Sequence, residues 1–359
     1  MDRQPRRLGR TVAGGWIVLA VVAWTAAGID PVAGEKGVRL VRDDAGRRVD
    51  VLVDGQPFTS YIYPTTLKKP VLYPLRSAKG ALVTRGFPLE PRPGERVDHP
   101  HQVGLWFTYG DVNGIDFWNN SDAIKPEDRP KMGTIVHKAV AAVRSGADKG
   151  ELETDMDWVL ADGKVVLQEH TLFVFRGGPA FRSVDRITRL QALDDRVALT
   201  DNKEGVFGLR VARALELPST RPEVFTDASG RPAAIASMDN KGVNGDYLTS
   251  EGTRGEAVWG TRGRWCTLSA RVGEEPVTVA ILDHPSNPGF PTYWHARGYG
   301  LFAANPLGQK ALSDGRESLN FALAPHQSAT FRYRVLILSE MATSERTEAA
   351  YKEFVAAYR

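Results

Sequence analysis

The densest chemistry in this chain lies in one run, DHPHQVGLWFTYGDVNGIDFW, from Asp98 to Trp118. Two histidines, three acids and two tryptophans sit there among three glycines. A second run, DHPSNPGFPTYWHARGYGLFAANPLG, extends from Asp283 to Gly308. It repeats the Asp-His-Pro triplet and adds Trp294, His295, Arg297 and Asn305. His99, His101, His284 and His295 together make four of the seven histidines. The expectation is two walls of one site.

On a strand, residues two apart share a face, so His99 and His101 are expected to converge. Pro100 removes a ladder hydrogen bond, which places them on an edge strand or in a loop. Such a pair can bind a metal, exchange protons near neutral pH, or simply be satisfied by hydrogen bonds. If a metal is bound, its candidate ligands are His99, His101, His284 and His295. A cupin-like set would add a nearby glutamate, and none follows before Glu127. Trp106 and Trp118 beside Asp116 suit a sugar, whose C–H faces stack on rings while its hydroxyls bond to carboxylates. Leu105, Phe107 and Phe117 read as core. Lys203-Glu204-Gly205 opens a strand that runs to Arg210. Alternation puts Glu204 and Arg210 on one face, as an ion pair or with Glu204 as a general base. Pro285, Pro288 and Pro291 stiffen the loop that carries the second set. His137, His170 and His326 stand apart from both runs.

Strands must position these groups. VDVLV and QPFTSYIY flank Asp54-Gly55, and DMDWVL and KVVLQEHTLFVF flank Asp162-Gly163; both read as hairpins. CTLSARV and PVTVAIL flank Gly273-Glu274-Glu275 in the same way. In ATFRYRVLI, Phe331, Tyr333, Val335 and Ile337 alternate with polar residues, the period of a half-buried strand. One helix is expected at the C-terminus, where Tyr351, Phe354, Val355 and Tyr358 follow helical spacing behind a cap at Ser344. Pro64 to Pro100 is expected to wrap the sheet as a long loop with short strands. The pattern predicts an all-β chain: one large antiparallel β-sandwich over 38–340, with a short C-terminal helix at 341–359 packed on it.

Composition bounds the partners. The chain has 359 residues, a formal charge of +3 and a single cysteine, Cys266. There is no basic stripe to argue for nucleic acid, and no internal disulfide or multi-cysteine zinc site. Residues 1–34 read as a signal peptide or an N-terminal signal anchor. Arg3, Arg6, Arg7 and Arg10 precede an uncharged run from 11 to 29. The expected location is periplasmic or extracellular, with membrane contact only through that segment if it is not cleaved.

The longer motifs resemble the PmoA-like family. They include FTSYIYPTTLKKPVLYPL, VTRGFP, DHPHQVGLWFTYGDVNGIDFW, KEGVFGLRVA, YLTSEG, AVWGTRGRW, ILDHPSNP and YWHARGYGLFAANPLG, spanning roughly 38–338. Family members carry a His-Arg pair where this chain has Gln102-Val103, so the resemblance supplies no third histidine there. The resemblance implies a build similar to the large sandwich of aldose epimerases, a galactose-mutarotase-like supersandwich in which a His acid and a Glu base act on a sugar ring. A multi-span methane oxidase does not fit a chain with one apolar run.

These observations converge on an exported carbohydrate-active protein with no cofactor, whose partner is a small molecule or glycan. His101 and His295 are the acid–base candidates, with Glu204 as their carboxylate. His99, Trp106, Asp116, Trp118, Arg210, His284, Trp294, Arg297 and Asn305 are the substrate contacts. A non-catalytic carbohydrate-binding module and a metal-dependent oxygenase are the alternatives.

Overall fold

The structure is a computed structural model that describes residues 36–236 and 239–359; the proposed leader lies outside them. Two eight-stranded antiparallel sheets make up most of it. The first runs in the order β1 (Val38–Asp43), β2 (Arg48–Val53), β3 (Gln56–Ile62), β4 (Val71–Leu72), β5 (Leu105–Tyr109), β11 (Gly205–Arg210), β18 (Leu301–Asn305), β17 (Tyr293–Ala296). The second runs β14 (Asp246–Thr249), β15 (Trp265–Val272), β16 (Glu275–Asp283), β20 (Ser328–Leu338), β9 (Phe181–Ala192), β8 (Val165–Gly178), β7 (Gly150–Val159), β6 (Thr134–Arg144). Two small pairs complete the strands: β10 (Val197–Leu199) with β19 (Phe321–Leu323), and β12 (Glu223–Thr226) with β13 (Pro232–Ile235). This is the all-β sandwich that the strand pattern predicts.

The hairpins form where turn chemistry allows. Asp54 and Gly55 both adopt positive φ, 51° and 72°, between β2 and β3. That is the conformation a two-residue hairpin turn requires. Alternation then sorts side chains between faces. Phe107, Phe207, Trp294 and Phe302 enter the space between the sheets, where Phe207 stacks on Tyr333 at 4.8 Å and Phe107 meets Phe331 at 5.4 Å. Arg186 is buried in this layer, 5.1 Å from the rings of both Phe107 and Phe173, and bonds Glu169. Burying this ion pair is tolerated because carboxylate and guanidinium satisfy each other.

The C-terminal helix α2 (Ser344–Ala357) covers the outer face of the second sheet through Ala350, Tyr351 and Phe354. α1 (Gln309–Leu312) is a single turn. The cap of α2 is Thr343, whose hydroxyl accepts from the Arg346 N–H, rather than Ser344. The Pro64–Pro100 segment contributes only β4 and isolated bridges. Among the described residues, no helix is long and apolar enough to cross a membrane.

The outer face of the first sheet is different. Trp106 on β5 pairs with Gly208 on β11, Gly208 with Ala303 on β18, and Ala303 with His295 on β17. Alternation therefore sets Trp106 and His295 at the two ends of one row, with a floor of small residues between them.

Candidate active site

The strongest concentration of charge lies at the Trp106 end of this row. His99 and His101 do not lie on a strand. His99 has φ +42° and starts a turn that the Gln102 N–H closes onto the His99 carbonyl at 2.9 Å. The two imidazoles meet edge to face, 5.7 Å apart at an interplanar angle of 82°. His99 lies parallel to Tyr299, with 5.0 Å between ring centroids, and its Nδ1 donates to Asp98 at 2.9 Å.

Asp98 is the anchor. It accepts from Arg85 as well, and from Arg210 at 2.6 Å. Burial would raise this carboxyl, but the His99 hydrogen bond and the charges of Arg210 and Arg85 prevail and hold it far below the usual range. Arg210 is fully buried, bonds Gln102 Oε1 and lies 4.7 Å from the Tyr299 ring. Arg85 also donates to the carbonyls of His99 and Gln102, clamping the turn that aims both histidines. Its own pKa is lowered to about 9, by burial and then by Arg210. The expected Glu204–Arg210 pair does not form. Residues six apart on an extended strand are separated by roughly 20 Å, and Arg210 takes Asp98 while Glu204 takes Lys203.

His101 faces a cavity of about 430 Å³ whose walls also include Leu67, Lys68, Lys69, Leu89 and Val103. Its Nε2 is buried without a hydrogen-bond partner. Burial, then the Lys69 charge, pushes its pKa well below the ordinary histidine value, so the ring is neutral.

Lys69 is the residue that the sequence did not single out. It is only 4% exposed, yet it lines the same cavity. Its Nζ donates to the Trp118 carbonyl at 3.2 Å and sits 5.8 Å from the Trp106 ring centroid. Among the described residues, no carboxylate is within ion-pair distance of it. Burial lowers its pKa to about 7, slightly opposed by Asp116. The signal available was Lys68-Lys69-Pro70 inside an otherwise apolar stretch, which reads equally well as two surface lysines.

Trp106 and Trp118 meet edge to face at 5.3 Å, and both are fully buried. They are not open stacking platforms for a ligand; they support Lys69. Gly208 makes this possible, because a Cβ there would come within 2.6 Å of the Trp106 ring and 3.0 Å of Trp118. Asp116 positions rather than binds. Its carboxylate accepts from the N–H groups of Trp118 and Asn119 at 2.8 and 2.9 Å, which fixes the carbonyl that Lys69 bonds.

At the other end of the row, His295 is buried with Nδ1 3.9 Å from Glu204 Oε2. Burial first, then Arg297 and Lys203, lowers its pKa to about 3. Gly110 lets the Glu204 segment approach, since a Cβ there would lie 2.7 Å from Glu204 Cβ. Arg297 lies over Trp259 at 4.7 Å.

Three expected contacts are structural. Trp294 points between the sheets, 6.0 Å from Phe302. The second Asp-His-Pro triplet belongs to the other sheet: His284 sits edge-on to Phe354 beneath α2, and its Nδ1 accepts from the Ser286 N–H. Asn305 is spent on four backbone bonds, to Asn202, Lys203, Leu307 and Gly308. The two expected walls are therefore one wall plus His295. Among the described residues, no three His, Cys, Asp or Glu side chains converge as a metal-binding set.

Fold and site together define an antiparallel sandwich protein with a buried lysine–histidine cavity against one sheet's outer face. The chain belongs to a family of unknown function (DUF6807), whose model matches residues 48–352. This corrects the PmoA-like resemblance: the model that matches is that of a family of unknown function, not of a methane oxygenase. Comparison with the curated proteins gives no sequence match. Among solved structures, the chain is similar to the galactosidase domain of an α-galactosidase–sucrose kinase, at 8% identity and a TM-score of 0.39. That likeness covers 84% of this chain and 42% of the other, so the chain spans less than half the length of that protein. It is also similar to a galactose mutarotase-like protein from Clostridium acetobutylicum, at 10% identity over 84% and 98% of the two chains, with a TM-score of 0.34. A third is the Slr1438 protein of Synechocystis sp. PCC 6803, at 10% identity over 87% and 99%, with a TM-score of 0.30.

Proposed function

We propose that this protein binds a small sugar or sugar derivative in the cavity beside Lys69 and His101 and moves a proton on it. The observation that carries this reading is that both side chains face one cavity of about 430 Å³, the His101 Nε2 unpartnered and the Lys69 Nζ with a single acceptor. Volumes of this order suit small ligands. The wall mixes Leu67, Leu89 and Val103 with Asn120, Ser121 and Asp122, which fits a polyol with one apolar face and many hydroxyls.

Burial keeps His101 neutral and brings Lys69 close to equal populations of ammonium and amine at neutral pH. A half-ionised lysine can give or take a proton, and the neutral imidazole beside it, with Nε2 unpartnered, serves to orient the ligand by a hydrogen bond. Asp98, Arg85 and Arg210 hold the histidine turn in place. His295 and Glu204, at the far end of the same row, are the second candidate pair.

The test is calorimetric titration with neutral aldoses, methyl glycosides and uronic acids, followed by NMR detection of anomer exchange or product. Saturable binding of at least one class, with turnover lost in Lys69→Met, supports the reading. Binding without turnover removes the proton-transfer half and leaves a binding module; no binding of any class overturns the whole. Export is part of the proposal and rests on the arginines and apolar run at 1–29. Recovery of the protein only from the cytoplasmic fraction would refute it.

A further inference from the structure

Lys69 and its neighbour Lys68 differ in a way that acid–base chemistry alone does not require. Both line the same cavity. Lys68 is paired with Asp122. Lys69 is almost wholly buried, has one acceptor for its Nζ and, among the described residues, no counter-charge. An ammonium there leaves N–H groups unsatisfied, whereas a free amine has a lone pair to present to the cavity. The unpartnered Nε2 of His101 lies on the same wall.

We propose that the Lys69 amine bonds covalently to its ligand, adding to the aldehyde carbon of an open-chain sugar or other small hydroxyaldehyde to form an imine. This rests on the reading of the cavity as a sugar site. The nitrogen lone pair forms the C–N bond as the carbonyl π pair moves to oxygen. The proton on the adding nitrogen passes to that oxygen, which completes the carbinolamine. The carbinolamine then loses one water as the C=N bond forms, and no electrons leave or enter. Schiff-base lysines are activated in this way, by desolvation in an apolar setting. Burial supports the assignment by lowering the Lys69 pKa to about 7.

The experiment treats the protein with D-glyceraldehyde and sodium cyanoborohydride at pH 7, which reduces any imine to a stable amine. Peptide mass mapping then reads the site. The expected result is one saturable adduct on Lys69, formed at least ~10-fold faster than on Lys68, because the amine fraction of an ordinary lysine at pH 7 is below about one in a thousand. The adduct persists in Lys68→Arg and is lost in both Lys69→Met and Lys69→Arg. Adducts spread evenly over exposed lysines, or concentrated on Lys68, overturn the proposal. A parallel calorimetric titration uses methyl galactoside, which cannot open. Glycoside binding with no Lys69 adduct overturns the imine alone and leaves the sugar site; absence of both overturns both.

Discussion

Lys69→Met is the most discriminating perturbation, because it should stabilise the protein and do so in a pH-dependent way. In the unfolded chain, Lys69 titrates at 10.5; in the fold, burial brings it to about 7. Below pH 7 the amine is protonated in both states, so the full burial penalty is present. As pH rises through 7, the folded state sheds the proton while the unfolded chain keeps it, and stability climbs until both are neutral above 10.5. At about 1.4 kcal/mol per pH unit, the penalty at pH 6 is roughly 3–5 kcal/mol. Methionine fills a similar volume without charge. It leaves the Trp118 carbonyl without its donor, at about 1 kcal/mol. The variant should therefore be more stable than the parent by roughly 2–4 kcal/mol at pH 6, and that advantage should fall by roughly 2–3 kcal/mol by pH 9. Urea unfolding followed by circular dichroism at the two pH values measures both. A variant that is less stable at pH 6, or a difference that does not change with pH, refutes the reasoning that Lys69 is a buried, unpaired cation.

Asp98→Asn leaves Arg85 and Arg210 buried beside a neutral amide and should cost about 3–5 kcal/mol in urea unfolding; a loss under about 1 kcal/mol would mean the clamp on the histidine turn is not electrostatic. Gly208→Ala drives a methyl into the Trp106–Trp118 pair, so it should cost about 1–3 kcal/mol and change tryptophan fluorescence; an unchanged spectrum would show that the rings do not rest on that glycine. Trp294→Ala should lose about 3–5 kcal/mol of stability as a core cavity while ligand affinity per folded molecule is unchanged, and weakened affinity in calorimetry would return Trp294 to the site.

Much of the sandwich was legible because strands and turns are local. Phe331, Tyr333, Val335 and Ile337 are buried on one face of β20 as their alternation requires, and Asp54-Gly55 turns as that pair does elsewhere. The clustering of Asp98, His99 and His101 was also legible, since they lie within four residues of chain. The roles were not. Trp106 and Trp118 look like binding aromatics in a polar run, but burial closes them over Gly208. The Asp283-His284 triplet looks like a repeat of the first, but it ends a strand of the opposite sheet and lies under α2.

Composition and periodicity by themselves determined the fold class, the hairpins, the C-terminal helix and the richest segment, because each depends on near neighbours in the chain. Only the tertiary structure decided which groups share a cavity. Lys69 acquires its chemistry from Trp106, Trp118 and His101, residues more than 30 positions away, which strip it of water without supplying a counter-charge. Desolvation is a property of the surroundings in three dimensions, and nothing in the spacing of Lys68-Lys69-Pro70 records it.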